Sequence, residues 1–344
     1  MVTLAPATAP VTATTSPQPS TPRAWGGRLA GLLGSTVLIV VPVFIFATLI
    51  TFLLGAVSGL SPAASLSGDE ATPERIAQIN AELGIDQPLI LRYLNWMGSL
   101  LTGDLGVSWY NGFSVSELIG QRLAVTASIV SVALVLGVSV GVLLGIVAAV
   151  NQGRPIDRAI TAVTTVVSTL PPFVVSIGLI VIFSVWLHLL PSSGYVPFGE
   201  NPGLWFQLII MPAVALSLDP AADLARQLRT GLVHTLAQPY ITGAVVRGLH
   251  PRRILVVHAL RNGAGPAVAV LGMKIPALLG GAVVTETIFN MPGFGLLSAD
   301  SALRGDVPVV QGTLVVAIVL VLAFNVLVNV SLNALQPGSR RATT

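Results

Sequence analysis

The side chains that could do chemistry in this sequence are few, and most of the charged ones are arginines. Charged residues make up 9% of the 344 residues, and there is no cysteine. This excludes disulfides, thiolate metal sites, iron–sulfur clusters and a cysteine nucleophile. The histidines lack the His-Glu-x-x-His spacing of a zinc site; they are His188, His234, His250 and His258. We therefore expect neither a metal site nor a catalytic site in this chain.

Two further patterns argue against an enzyme. A P-loop ends in Gly-Lys-Ser/Thr so that the ammonium group reaches the phosphates, but the only lysine, Lys274, is followed by Ile275. Residues 137–141 match the Gly-x-Ser-x-Gly nucleophile elbow, yet they lie inside an uncharged run rather than at a strand-to-helix turn. We expect no nucleotide hydrolysis by a P-loop and no serine nucleophile.

The glycines of that run have a better explanation in helix packing. Gly137, Gly141 and Gly145 recur every four residues and so share one helix face. Small residues at this spacing let the backbone of a neighbouring helix approach closely. The sequence leaves open whether that neighbour belongs to this chain or to another subunit.

Long apolar runs must position these residues, and they predict an all-α polytopic membrane protein. Hydrophobic residues make up 53% of the sequence and charged residues only 9%, whereas about 25% of the residues of a soluble domain are charged. About 20 apolar residues in a helix cross the hydrocarbon core. We predict a transmembrane domain over residues 29–335 with six spans, at about 32–54, 123–150, 159–190, 204–223, 263–289 and 307–335. A cleaved signal peptide is the alternative for the first run, which is longer than a typical signal sequence.

Pro171 and Pro172 lie within the third run and should bend or break its helix. Broken helices are tolerated where they face protein or a water-filled path. A proline at the first turn of an ordinary helix is equally common, so both interpretations stay open.

Arginine placement predicts the orientation, because Lys and Arg near the ends of spans are retained in the cytoplasm. With six spans, one side of the membrane receives Arg23, Arg28, Arg154, Arg158, Arg226, Arg229, Arg247, Arg252, Arg253, Arg261, Arg340 and Arg341. The short loops of the other side contain only Arg304. Both termini are therefore predicted to be cytoplasmic.

Three segments outside the spans have distinct compositions. Residues 1–28 are rich in Pro, Thr, Ala and Ser and are expected to form a disordered tail, with 336–344 as a second tail. The outer connection, 55–122, should be partly folded, because Thr72 can cap a helix that begins at Pro73.

The inner connection, 224–262, contains residues that typically begin and end helices, and it predicts two short helices at the cytoplasmic surface. Pro239 and Pro251 suit first helical positions, and Gly248 suits the left-handed residue that ends a helix. The sequence therefore predicts a helix pair hinged at Gly248.

Two ionisable residues lie inside the fifth span. Lys274 falls about 15 Å into it at 1.5 Å per residue, where a charge costs about 2.5–3.5 kcal/mol. It should face the protein interior and meet a partner such as Asp219. Glu286 lies about 18 Å further along the same helix and cannot pair with it. Lys274 either lines a solute path or is a structural polar group; for Glu286, near the outer interface, a structural role is favoured.

The inner connection resembles the cytoplasmic "EAA" loop of bacterial ABC importer permeases, specifically the dipeptide, oligopeptide and nickel permease family. The similar segments are 239–249 and 258–262 with Pro266, the outer stretches 83–88, 92–96 and 103–108, and 280–289, 292–295, Asp306 and 308–312. Together they cover most of the chain beyond the first tail.

The resemblance implies a role and a set of partners. The partners would be a second homologous permease, two ATPase subunits or one two-domain ATPase, an extracytoplasmic solute-binding protein and the lipid bilayer of the bacterial inner membrane. ATP and Mg²⁺ would belong to the ATPases, with no cofactor in this chain, and nucleic acid is not expected. The inner loop would dock on the ATPases through Tyr240, Ala244, Gly248, Leu249 and Arg252.

The residues alone also allow a secondary transporter driven by an ion gradient, with Lys274, Glu286 and Asp219 as its ionisable groups. Such carriers show inverted repeats with matching broken helices, but the sequence has no second Pro-Pro break. A structural or signalling membrane protein is a third possibility. The solute, whether dipeptide, oligopeptide, nickel or another, is not indicated.

Overall fold

The computed structural model describes residues 23–58, 60–67 and 72–335, so most of the predicted first tail and all of the second lie outside the described residues. Residues 23–28, assigned above to the first tail, belong to the first helix. The elements of the first half are α1 (Arg23–Val57), α2 (Pro62–Ser67), α3 (Pro73–Glu82), α4 (Leu89–Leu101), α5 (Val115–Val150), α6 (Pro155–Thr169), α7 (Pro172–Leu179), continued as the π-helical Ile180–Trp186, and α8 (Pro202–Leu236).

The second half starts with the inner connection and ends with two further long helices. Its elements are α9 (Pro239–Val246), α10 (Pro251–Arg253), the π-helical Ile254–Leu260, α11 (Arg261–Gly263), α12 (Gly265–Ile288), α13 (Phe294–Arg304) and α14 (Val307–Leu335). The chain divides into two compact units after Ala47, within α1, and every later element lies in the second unit. The all-α prediction is confirmed.

The described residues contain five helices that are long and apolar enough to cross a membrane, and a sixth span if a bent pair counts as one. The pair is α6 with α7 and its π-helical continuation, bent by 99°. The prolines cause the bend, because a residue before proline avoids the helical conformation. Leu170 and Pro171 accordingly have ψ angles of 121° and 140°. The predicted break is confirmed.

The fourth span is much longer than predicted. The apolar run ends near Asp219, but α8 continues without a break to Leu236. Charges stop a hydropathy run without stopping a helix, and those of α8 are paired: Asp223 with Arg226, and Arg229 with Asp157 of α6. Helix α8 therefore includes residues 224–236, which the sequence analysis assigned to the inner connection. Similarly, α5 begins at Val115, eight residues before the predicted span.

The outer connection is partly folded, as predicted. Thr72 caps α3 by accepting a hydrogen bond from the Arg75 N–H at 3.2 Å, and Pro73 occupies the first turn. In α4, Ile90, Leu94 and Leu101 point outward and are exposed.

α5 lies along α8, and the glycine seam is the reason they approach so closely. A Cβ on Gly141 would lie 2.8 Å from the Ala221 carbonyl oxygen, and one on Gly145 would lie 2.9 Å from the Ala225 carbonyl oxygen. Gly137 faces Ser217 in the same way. The seam is thus internal to the chain, which answers the question that the sequence left open.

α8 is the central helix. Its buried side packs against α5 and α12 in two apolar clusters that run along the span. The outer cluster includes Ile129, Ile209 and Leu278; the inner one includes Leu228 and Leu232.

Candidate functional site: the inner loop and the charged face of α8

The inner loop has the predicted helix pair. Pro239 lies in the first turn of α9, and Pro251 in the first turn of α10. Between them, Gly248 has a φ of +74°, the left-handed conformation that glycine adopts without strain. A Cβ there would meet nothing within 4 Å. The requirement for glycine is therefore conformational rather than steric.

One side of this loop packs on its own chain. Ile241, Ala244 and Ile254 are buried together, with Leu249 and the last residue of α8, Leu236, against them. The proposed docking residues Ala244 and Leu249 thus belong to the loop's own small core. They can hold the loop in shape, but Ala244 has no free surface for a partner.

The other side of the loop is exposed and carries apolar side chains beside the basic Arg247, Arg252 and Arg253. Tyr240, Val245 and Val246 project outward, and Val246 is 82% exposed. Gly248 and Arg252 are exposed too. The sequence prediction omitted the two valines, although their place beside Gly248 could have indicated them. An exposed apolar face on a loop fixed by its own core is the geometry of a docking surface.

The loop is joined closely to the spans. Gly231 of α8 and Gly263 of α11 are in backbone contact: a Cβ on Gly231 would lie 2.1 Å from the Gly263 carbonyl oxygen. The Tyr240 hydroxyl also accepts a hydrogen bond from Asn262 at 3.0 Å. The loop is therefore in direct contact with the end of α8 and with α11, which leads into α12.

Lys274 is paired, and more extensively than predicted. Its Nζ lies 2.8 Å from Asp219 Oδ2 and 2.5 Å from Asp223 Oδ2. Asp223 also pairs with Arg226, and Arg226 donates to the Thr164 carbonyl at 3.1 Å and to Ser168 Oγ at 3.0 Å. The sequence suggested Asp219 and missed Asp223 and Arg226, whose spacing on one helix face was the available signal.

Glu286 is placed differently, and it is fully buried. It accepts hydrogen bonds from the Thr126 hydroxyl and from the Leu296 N–H, the latter at 2.8 Å. Thr126 in turn accepts from the Phe294 N–H at 2.8 Å. These contacts tie α12 to α5 and to the first turn of α13. Lys274 and Glu286 do not form one site.

Two other buried carboxylates fasten the helices. Asp157 accepts a two-pronged ion pair from Arg229 at 2.5 and 2.6 Å. Asp306, just before α14, accepts from Ser108 Oγ at 2.5 Å and from the Trp109 N–H at 3.2 Å. Burial raises the pKa of Asp306, although these hydrogen bonds oppose the shift. Sequence reasoning had no signal for either pairing across distant segments.

Metal chemistry finds no support in the part of the chain that the structure describes. No group of three or more His, Asp or Glu side chains there could hold a metal ion. The site consists of ion pairs inside the long apolar helices and of the loop that contains α9 and α10. Ion pairs inside the spans of a polytopic helical protein are typical of membrane transport proteins.

Comparison with known families makes the class specific. The chain belongs to the family described as binding-protein-dependent transport system inner membrane component, whose model matches residues 141–341. The model of the family's N-terminal part matches residues 30–130. The chain is therefore an ABC importer permease subunit, a multi-pass protein of the inner membrane. This assignment decides against the secondary-transporter alternative.

Individual relatives agree over nearly the whole length. The chain is 34% identical to the probable peptide ABC transporter permease y4tP of Sinorhizobium fredii, covering 90% of this chain and 97% of the relative. It is 33% identical to the dipeptide transport system permease DppB of Escherichia coli, covering 88% and 96%. A chain of the inward-facing MetNI methionine ABC transporter has the same fold, with a TM-score of 0.53 at 17% identity, covering 64% of this chain and 97% of that one.

Proposed function

We propose that this chain forms, with a second permease subunit, the membrane path for peptides that an external binding protein delivers. Two ATPase subunits, or one ATPase with two such domains, drive the cycle and hold the ATP and Mg²⁺. Support for peptides as the solute class comes from the relatives named for peptide and dipeptide transport. Both termini are on the cytoplasmic side, as the arginine distribution indicates.

One observation carries the proposal: the inner loop presents an exposed apolar face while its other face is fixed to α8 and α12. Tyr240, Val245 and Val246 would contact the ATPase. Gly248 sets the angle between α9 and the segment after it. When the ATPases close on ATP, their movement would pass through the loop to the inner ends of both helices.

The absence of cysteine from the sequence makes a direct test possible, because a single introduced cysteine has no competitor in this chain. Val246→Cys should crosslink to the ATPase subunit in the assembled complex. It should react with a membrane-impermeant thiol reagent only from the cytoplasmic side.

Two matched variants provide the controls. Leu101 is 84% exposed at the end of α4. Leu101→Cys should be labelled only from outside and should form no crosslink to the ATPase. Ala244→Cys lies in the loop core and should not crosslink either. Labelling of Val246→Cys from outside, or a crosslink at Leu101→Cys, would contradict the orientation and the docking assignment.

A further inference from the structure

One face of α8 is polar over its inner half. Partly or fully exposed positions there are Asp219, Asp223, Arg226, Gln227 and Thr230. The buried positions between them are Leu224, Ala225 and Leu228. Charged side chains at mid-membrane are costly in lipid and face protein or water instead. The exposed polar face of α8 is therefore expected to face water or another subunit rather than the bilayer.

Four of the side chains at this face form one network, the charged tetrad: Asp219, Asp223, Arg226 and Lys274. It contains two carboxylates and two cations, so its formal charge is zero. Its side chains remain 21–38% exposed. In the neighbouring ion pair the Asp157 carboxylate is only 3% exposed, and its partner Arg229 is 29% exposed. Both carboxylates of the tetrad are therefore more exposed than the carboxylate of the neighbouring ion pair.

The broken span supports this assignment independently. Arg226 is anchored to the Thr164 carbonyl and to Ser168 Oγ, just before α6 ends at the Pro171 and Pro172 break. Interrupted helices at membrane depth are found where they are enclosed by protein or line a water-filled cavity. The break and the tetrad lie beside each other, so both features indicate the same path.

We propose that the tetrad is a charge-exchange site for the two termini of a zwitterionic peptide. Asp219 would accept the α-ammonium group, and Lys274 would receive the α-carboxylate. The two peptide termini would replace one internal ion pair: Lys274 and Asp219 would separate as each pairs with a terminus, while Asp223 and Arg226 stay paired with each other. No charge is then left uncompensated at membrane depth. Free termini are common to all unmodified peptides, so this recognition is independent of side chains. The inference rests on the proposed peptide transport and names the groups that are recognised.

The test uses the complete transporter in proteoliposomes, with ATP inside and the binding protein saturated outside. Three probes share the Ala-Ala dipeptide and differ in their charged termini. Ala-Ala has both termini free, N-acetyl-Ala-Ala keeps only the carboxylate, and Ala-Ala-amide keeps only the ammonium group. Lys274→Gln leaves the tetrad with excess negative charge and should favour the amide over the acetylated peptide by about fivefold relative to wild type. Asp219→Asn should shift the same ratio by a similar factor in the opposite direction. Both variants should take up Ala-Ala more slowly.

Opposite shifts are the signature that a structural ion pair would not give. The control is the double variant Asp157→Asn/Arg229→Gln, which removes an ion pair of the same helix away from the tetrad and should leave the ratio unchanged. Equal ratios in all variants, or shifts in the same direction, would overturn the proposal. Failure of wild type to take up any peptide would instead overturn the proposed function, and that is measured first.

A second variant keeps the proposal testable if the charge changes prevent assembly. Gln227 is uncharged, exposed and adjacent to Arg226. Gln227→Cys should react with a water-soluble thiol reagent in the assembled transporter, and Ala-Ala with its binding protein and ATP should slow that reaction. A cysteine that does not react, or that reacts at the same rate with peptide present, would show that no solute passes this face.

Discussion

The conformation of Gly248 gives the sharpest prediction about energy coupling. Gly248→Val places a β-branched side chain at φ +74°, where such residues are rare outliers. Because a Cβ there meets nothing within 4 Å, the penalty is that of the backbone conformation alone, about 1–2 kcal/mol. The fraction of loops in the docking geometry should fall by about fivefold to thirtyfold.

The spans do not depend on this residue, so the variant should still insert and assemble. In proteoliposomes, peptide uptake and peptide-stimulated ATP hydrolysis should fall together by the same factor, while the isolated ATPase subunits stay active. Gly153→Val is the matched control: it has a φ of +77° with open space around it, on the loop between α5 and α6. It should retain uptake per assembled transporter. Wild-type uptake by Gly248→Val would refute the hinge assignment.

Three further predictions concern the helix contacts. Gly141→Leu should reduce the yield of folded protein in size-exclusion chromatography, because its Cβ would lie 2.8 Å from the Ala221 carbonyl oxygen. Gly120→Leu in the same helix is the control: its Cβ would meet nothing within 4 Å, so the yield should not change. Asp157→Ala should destabilise the protein by about 1–3 kcal/mol by leaving Arg229 without its carboxylate, seen as a lower thermal midpoint in detergent. Asp306→Ala should cost about 1–3 kcal/mol because two donors lose their acceptor, and Asp306→Asn, which keeps one carbonyl oxygen, should cost less; equal midpoints for both would contradict this.

The sequence predicted best where a single residue decides the backbone. Pro171 and Pro172 break a span, and Gly248 adopts a positive φ, because these residue types restrict or permit conformations locally. The end of α8 could not be predicted from hydropathy. Asp219 ends the apolar run, but the helix continues because the charges that follow find partners on other helices.

Pairing across the bundle was the part that sequence could not supply. The Lys274 and Asp219 pair was one possibility among several. The spacing of Asp219, Asp223 and Arg226 places them on one face of α8, but which of them meets Lys274 depends on how α8 packs against α12 and α6. The burial of Glu286 could not be predicted for the same reason. It depends on α13 packing over the end of α12. Contacts of this kind depend on helix orientation, which a run of apolar residues does not encode.

The central claim is that this chain forms the membrane path of an ATP-driven peptide importer and transmits the movement of the ATPases to that path. The most direct measurement is uptake of radiolabelled Ala-Ala into proteoliposomes that contain this chain, its partner permease and the ATPases. We predict uptake against a concentration gradient that requires both internal ATP and the external binding protein, and that persists when ionophores collapse all ion gradients. Uptake that continues without ATP and stops with the ionophores would contradict the claim.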